Sequence, residues 1–335
     1  MKKNDNLLVD SFGRNHNYLR ISLTERCNLR CIYCMPMNGI KLSPKENLMN
    51  KDEIFTLANI FVQNGVNKIR LTGGEPLVRK DFPEILEKLS KIPTSLSLTS
   101  NAVLIDRYIN LFQKYNLTSI NVSLDTLNSE KFKEITLRND FSRVMNNIEL
   151  LIKNNFKLKI NVVLMKGVND EEIINFIKFT KNRNISLRFI EFMPFSGNKW
   201  KKNKIVSMQT ILNKISNYYG KNNLLELRRI NHQTSKNFKI KGHIGSFGII
   251  STVTNPFCDQ CNRIRITADG KIKNCLFSNN EIDLLTPLRN GKGINNLIKK
   301  LLLSKKLIRS GMEASEVFEN FKKHEKNRSM IAIGG

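Results

Sequence analysis

Six short runs rich in β-branched residues alternate with longer segments of helical period across residues 18–193, and this rhythm sets the narrowest limit on the fold. The runs are Tyr18–Thr24, Lys68–Thr72, Ser95–Thr99, Ser119–Leu124, Leu158–Met165 and Leu187–Phe192. Between them Lys51–Asn64, Pro83–Lys91, Asp106–Tyr115, Arg143–Asn154 and Glu171–Asn182 carry apolar residues at helical spacing. Strand, helix, strand at this spacing predicts a parallel sheet with crossover helices. Six units are too few for a closed eight-unit barrel, so the expected fold is α/β, a partial (β/α)6 TIM-type barrel over residues 1–225. In such folds the chemistry sits at the carboxyl ends of the strands, and the polar motifs of this chain fall there. After about Trp200 the rhythm changes. Val206–Tyr219 reads as a helix, and the polar stretch to Lys241 has little periodicity. Two strand-like runs follow, Ile249–Val253 and Ile264–Thr267, and then a hairpin signal, Asp269-Gly270, leading into Lys271–Leu276. Helical patterns over Ile294–Leu303 and Ser315–His324 precede the tail Ile331–Gly335. A small C-terminal domain over residues 226–335 is expected.

The six cysteines form two triplets, Cys27/Cys31/Cys34 and Cys258/Cys261/Cys275. Three disulfides would suit a small exported domain. The first twenty residues, with Asp5 and Asp10, lack both an apolar signal core and an Arg-rich, acid-free transit pattern. No apolar run approaches the roughly 18 residues of a bilayer span. A cytoplasmic chain with ligating thiolates is therefore the expectation. Three thiolates can hold three irons of a cubane cluster, whose full ligation takes four, and this leaves one iron open to an external molecule. Zinc is the alternative at each triplet, with His16 or His243 as the nearest histidine for the fourth position. The formal net charge of +26 invites a nucleic-acid reading. Its lysines, however, are spread through the whole chain among many asparagines, which looks like compositional drift. The remainder of the charge still suits a strongly anionic ligand.

Cys-x-x-x-Cys-x-x-Cys after the first strand of a partial barrel resembles the signature of the radical S-adenosylmethionine superfamily. The resemblance implies that Cys27, Cys31 and Cys34 hold a [4Fe–4S] cluster whose open iron chelates S-adenosylmethionine, and that one electron then releases a 5′-deoxyadenosyl radical. It places Tyr33 near the adenine. Thr72-Gly73-Gly74-Glu75-Pro76, at the next strand end, resembles the family's second feature and brings Gly74 and Glu75 to the methionine moiety. In the same register Ser123 and Met193 are assigned to that pocket.

The segment Phe257 to Gly270, followed by Asn274-Cys275-Leu276-Phe277, closely resembles the C-terminal cluster motif of the molybdenum cofactor biosynthesis protein A family. That resemblance extends to Leu19-Arg20-Ile21-Ser22, Lys68-Ile69-Arg70, the segment Arg188 to Pro194 and the terminal Gly334-Gly335. It implies a second [4Fe–4S] cluster on Cys258, Cys261 and Cys275 in the C-terminal domain, with its open iron toward a guanine ring. The implied substrate is GTP, whose roughly four negative charges suit multidentate arginine recognition. Its implied contacts are Arg20, Lys68, Arg70, Thr99, Lys159, Arg188, Arg263 and Arg265, and the implied catalytic set is Cys27, Cys31 and Cys34 together with Arg263 and Arg265. The implied reaction is a lyase-class radical cyclisation of GTP to 3′,8-cyclo-7,8-dihydro-GTP, the first step of molybdopterin synthesis, with the Gly-Gly tail reaching into the active site. An electron donor, the next enzyme of the pathway and a second copy in a homodimer are the implied partners; neither nucleic acid nor membrane is. The competing readings are another two-cluster radical enzyme acting on a peptide and, from a different class, a zinc-containing nucleic-acid-binding protein.

Overall fold

All six expected runs are strands: β1 (Tyr18–Ser22), β2 (Lys68–Thr72), β3 (Ser95–Ser100), β4 (Ser119–Ser123), β5 (Lys157–Leu164) and β6 (Ser186–Glu191). They lie side by side in sequence order, each parallel to the next. The computed structural model describes residues 7–36, 38–229 and 231–334. Helices cross between consecutive strands: α1 (Lys51–Gln63), α2 (Phe82–Ser90), α3 (Ile109–Lys114), α4 (Ser129–Thr136), α5 (Phe141–Lys153) and α6 (Ile173–Phe179). The first starts on a reciprocal cap, in which Asn50 accepts from Asp52 N and Glu53 N while Asn50 N donates to Glu53. No pattern predicted α4, which proves to hold a cysteine loop.

The parallel array is longer than the expected six. After α7 (Met208–Tyr219) come β7 (Leu224–Glu226), β8 (Lys236–Ile240), β9 (Ser246–Ile250), β10 (Arg263–Ile266), β11 (Lys271–Lys273) and β12 (Ile282–Asp283). Strand β9 pairs parallel with β6, and β10 pairs parallel with β1. Eight parallel strands thus run β10-β1-β2-β3-β4-β5-β6-β9. Antiparallel β11 and β12 extend one edge, and β8 and β7 the other. The sheet is not closed. Residue 225, where the domain boundary was expected, lies inside β7, and strands beyond it join the same sheet. The remaining helices are α8 (Leu285–Arg289), α9 (Asn295–Leu303), α10 (Ser315–Glu319) and α11 (Met330–Ile333). None of the described helices is long and apolar enough to cross a membrane.

Side chains alternate between the two faces of a strand, and the two faces of this sheet are chemically opposite. One carries buried apolar residues such as Leu19, Ile21, Ile69, Leu71, Ile120, Ile160, Phe189 and Ile264 in the main core. The register then brings Tyr18 opposite Lys68 and Arg263, and Arg20 opposite Arg70 and Arg265, on the other. A one-residue slip would drive those cations into the core, so pattern and register fix each other.

Candidate active site between two cysteine triplets

The first triplet lies on the loop leaving the carboxyl end of β1. Its backbone is held from two sides. Arg30 N and Ile32 N donate to the last carbonyls of α4, Thr136 O and Ile135 O. Gly74 N and Glu75 N, just past β2, donate to Thr24 O and Arg26 O. The glycines were expected to admit a ligand. In the structure Gly74 first admits this loop, because a Cβ there would lie 2.3 Å from Arg26 O. The three sulfurs lie close enough to influence one another's ionisation. Burial, then Glu75, pushes Cys27 up to about 11, and burial pushes Cys34 up to about 12. Neutral thiols are favoured until a cation takes the protons' place, which suits a metal-ligand set.

Around this loop the structure gathers the residues expected at S-adenosylmethionine. Tyr33, Ser123 and Asp125 line one narrow cavity with Cys31 and Asn101. Met193 and Tyr33 pack against the same apolar cluster, which contains Phe192 and Trp200. Tyr33 donates to Asp125 Oδ2 at 2.7 Å. Glu75 is fully enclosed: Oε1 accepts from Leu77 N and Ser100 Oγ, and Oε2 from Asn101 N. A carboxylate offers about four lone-pair positions, so one on Oε2 remains for a ligand. Burial raises Glu75 to about 7 and Asp125 to about 6. Asn101, whose Nδ2 lies 3.7 Å from Cys27 Sγ, and Asp125 join this site without having been among the residues expected there.

Every expected GTP contact lies on the polar face of the sheet. Arg70 donates to Tyr18 OH and, at 3.3 Å, to Thr99 Oγ1. Arg79, Arg143, Arg183, Arg289 and Arg328 each pair with a carboxylate. Lys68, Arg70, Lys159, Arg188, Arg263 and Arg265 form no ion pair among the described residues. Burial, then Arg188 and Lys68, holds Lys159 down at about 8. Burial, then Arg70, holds Arg188 at about 10, and burial, then Arg263, holds Arg265 at about 10. Tyr18 shows the field most directly. Burial acts to raise its pKa, yet Arg70, Arg20 and Lys68 outweigh it and hold the phenol at about 7. Sequence reading passed over Tyr18, whose alternation with Arg20 was the available signal. Arg188 Nε, Asn121 Oδ1 and Asn161 Oδ1 are buried there without a hydrogen-bond partner among the described residues. Unpaired buried cations and amides are costly; a ligand with anionic groups would satisfy the cation, and its hydroxyl or N–H groups would donate to the two amide oxygens.

The second triplet sits at the other end of these strands. Cys258 and Cys261 precede β10, which runs parallel to β1, so they lie at the amino end of the sheet. The Asp269-Gly270 turn brings Lys273 opposite Arg265, which folds Cys275 back toward them. Burial acts to raise the pKa of Cys261, but Lys305 and Arg263 outweigh it and hold the thiol at about 6. All six cysteines are free, and no three His, Cys, Asp or Glu among the described residues could hold a single metal ion. Both histidines considered for zinc have other partners, His16 with Asp10 and Lys305, and His243 with Thr180. The strand length between the triplets, with the cation face along it, is roughly 15 Å. The tail enters the same space. Gly334 O accepts from Arg265 at 2.9 Å, and a Cβ on Gly334 would lie 2.5 Å from Thr72 Oγ1. Gly335 lies outside the described residues.

Residues 21–180 match the Radical SAM superfamily, the class that the open parallel sheet and the cysteine loop define. Residues 185–310 match the family described as Molybdenum Cofactor Synthesis C. The chain is 43% identical over 335 residues to the mitochondrial GTP 3′,8-cyclase of Arabidopsis thaliana, covering 98% of this chain and 84% of that one. It is 41% identical over 304 residues to the GTP 3′,8-cyclase of Listeria welshimeri, covering 89% and 91%. The chain spans about half the length of relatives called molybdenum cofactor biosynthesis protein 1, such as that of Dictyostelium discoideum, at 44% identity over 98% of this chain and 52% of that one. Among solved structures, Streptococcus suis SuiB bound to S-adenosylmethionine shares the fold, with a TM-score of 0.58 at 17% identity over 84% of this chain and 65% of that one. The chain belongs to the molybdenum cofactor biosynthesis family within the radical S-adenosylmethionine superfamily.

Proposed function

We propose that this chain is a GTP 3′,8-cyclase that converts GTP to 3′,8-cyclo-7,8-dihydro-GTP, the first step of molybdenum cofactor biosynthesis. In this reading residues 1–225 carry a [4Fe–4S] cluster on Cys27, Cys31 and Cys34, and residues 226–335 carry a second on Cys258, Cys261 and Cys275. Once bound there, the first cluster and S-adenosylmethionine would supply the radical chemistry that starts the cyclisation. Tyr33, Gly74, Glu75, Ser123 and Met193 hold S-adenosylmethionine, with the remaining lone pair of Glu75 Oε2 facing its ammonium. Arg20, Lys68, Arg70, Lys159, Arg188, Arg263 and Arg265, with Thr99 beside Arg70, hold the triphosphate and orient the ribose toward the first triplet and the guanine toward the second. Charge neutralisation in a buried site fixes that orientation more firmly than the same contacts would in water. Gly334, by occupying the space between Ser22 and Thr72, narrows the interior and excludes water from the radical. An electron donor and the enzyme that takes the cyclised product complete the reading, which places the reaction in the cytoplasm.

The observation that carries this reading is the strip formed by Lys68, Arg70, Lys159, Arg188, Arg263 and Arg265, which have no carboxylate partner among the described residues and run between two cysteine triplets at opposite ends of one sheet. The test is anaerobic reconstitution, followed by iron analysis and 5′-deoxyadenosine measurement with and without GTP. About eight irons per chain and a strong rise in deoxyadenosine with GTP are expected. Two clusters with no response to GTP would overturn the substrate, and zinc in place of iron would overturn the class.

A further inference from the structure

A second buried polar cluster lies against the second triplet, and nothing in the reading above uses it. Asp10, His16 and Lys305 are each at most 4% exposed and come from the two ends of the chain. His16 Nε2 lies 3.0 Å from Asp10 Oδ2, and Lys305 Nζ lies 3.5 Å from His16 Nδ1. An ammonium has donors only, so Nδ1 must accept, and Nε2 carries the proton that is donated to Asp10. The imidazole is thereby fixed in one tautomer. Lys305 Nζ then donates to Cys261 Sγ at 3.5 Å and to Arg263 O at 3.4 Å. Asp10 also binds Arg14, whose guanidinium donates to Cys258 O, Leu307 O and Lys306 O. One aspartate therefore ties the second cysteine loop to the segment bearing Lys305 and orients the lysine on a cysteine sulfur.

We propose that Lys305 is a positioning residue for the second cluster: its ammonium, aimed by His16 and Asp10, donates to the Cys261 sulfur and raises the cluster's reduction potential. The inference rests on the reading that this triplet holds a [4Fe–4S] cluster. Cluster potentials follow net charge and hydrogen bonds to the sulfurs. A buried cation beside a ligating sulfur favours the reduced, more negative cluster, and burial limits its screening. Arg263 also reaches Cys261 Sγ, at 3.8 Å, but it lies on the cation face, where an anionic ligand would engage it. Lys305 stays on the sulfur whatever occupies that face, so it sets the potential at which this cluster accepts and returns an electron.

The test is a potentiometric titration of the reconstituted protein followed by electron paramagnetic resonance, with S-adenosylmethionine added to perturb and so identify the first cluster's signal. Lys305→Met should retain about eight irons and shift the second cluster to a more negative midpoint, with the first cluster unmoved. Lys305→Arg should restore the midpoint. A purely structural lysine would alter melting or loading and leave the midpoint in place. Full loading with an unchanged midpoint overturns the proposal. If Lys305→Met fails to load, pulsed resonance on wild-type protein labelled with 15N-lysine decides instead. A lysine nitrogen coupled to the reduced second cluster is expected, and its absence overturns the proposal. Only four irons in the wild type would overturn the cluster reading itself, a result separable from all of these.

Discussion

Replacing Gly74 with alanine should detach the first cysteine loop while leaving the rest of the sheet folded. Gly74 does not occupy the left-handed region, so the backbone itself tolerates alanine. The obstacle is space. The new methyl would lie 2.3 Å from Arg26 O, 2.7 Å from Arg26 C and 3.2 Å from Cys27 Cβ, the first two being backbone atoms with no rotamer to change. Ordinary contact between carbon atoms is about 3.5–4.0 Å, so the strand end and the loop must part by about 1 Å. That movement breaks the bonds from Gly74 N to Thr24 O, at 2.7 Å, and from Glu75 N to Arg26 O, at 2.8 Å. Overpacking and two lost backbone bonds together cost about 2–6 kcal/mol. A domain with 5–15 kcal/mol of stability can survive that, but a loop carrying three ligands cannot hold its geometry. Iron analysis after anaerobic reconstitution should fall from about eight to about four per chain, with deoxyadenosine formation lost. A variant with both clusters loaded and an unchanged melting temperature would refute the steric argument.

Arg188→Ala should lower GTP affinity roughly 10- to 100-fold, the worth of a hydrogen bond to a charged group, with S-adenosylmethionine binding intact; calorimetry with each ligand separates the two. Gly334→Ala combines a positive φ of 83° with a methyl 2.5 Å from Thr72 Oγ1, a conformation that alone costs an L-residue about 1–2 kcal/mol. Product formed per deoxyadenosine should drop, and an unchanged ratio would remove the tail from the site. Burial raises Asp125 from the ordinary aspartate range to about 6, so the folded state favours its protonated form. That contribution is present below the unfolded pKa and is lost as pH rises through 6. Between about pH 4 and 6 the metal-free chain should lose on the order of 3 kcal/mol relative to Asp125→Asn. Denaturant unfolding of both proteins across that range measures it, and a constant difference refutes it.

The parallel core was legible because each strand carries its own signal. Lys68–Thr72 was expected over the same residues as β2, and the other five barrel strands differ by one or two at their ends. Both cysteine loops were legible for the same local reason, whereas the strand-borne cations were picked out through the family resemblance. Strand β10 was visible as a short run and β9 only at its end, since the expected Ile249–Val253 overlaps it at Ile249 and Ile250 alone; their places in the parallel array were not visible. Pairing Tyr18 with Arg263 depends on the three-dimensional path of the whole chain, and periodicity carries no such information. The β7–β8 hairpin fell within a stretch read as polar and aperiodic, because edge strands exposed on one side need little apolar patterning. Tyr18 was missed although its alternation with Arg20 marked it, and the Asp10–His16–Lys305 cluster was missed because Lys305 lies too far along the chain for any spacing to join it to the other two.

Placing β10 beside β1 also sets a clock on synthesis. Asn17 and Asn262, joined by a side-chain hydrogen bond at this seam, are 245 residues apart. At the usual 5–20 residues per second, the first strand waits roughly 12–50 s for its neighbour. Throughout that interval the edge of β1 is an open template for unwanted pairing, and the cation face lacks Arg263 and Arg265. The first cysteine loop leaves the ribosome early, whereas the second arrives with the strand that covers the seam. Loading of the first site can therefore precede completion of the sheet, while the second site and the finished substrate chamber come into being together.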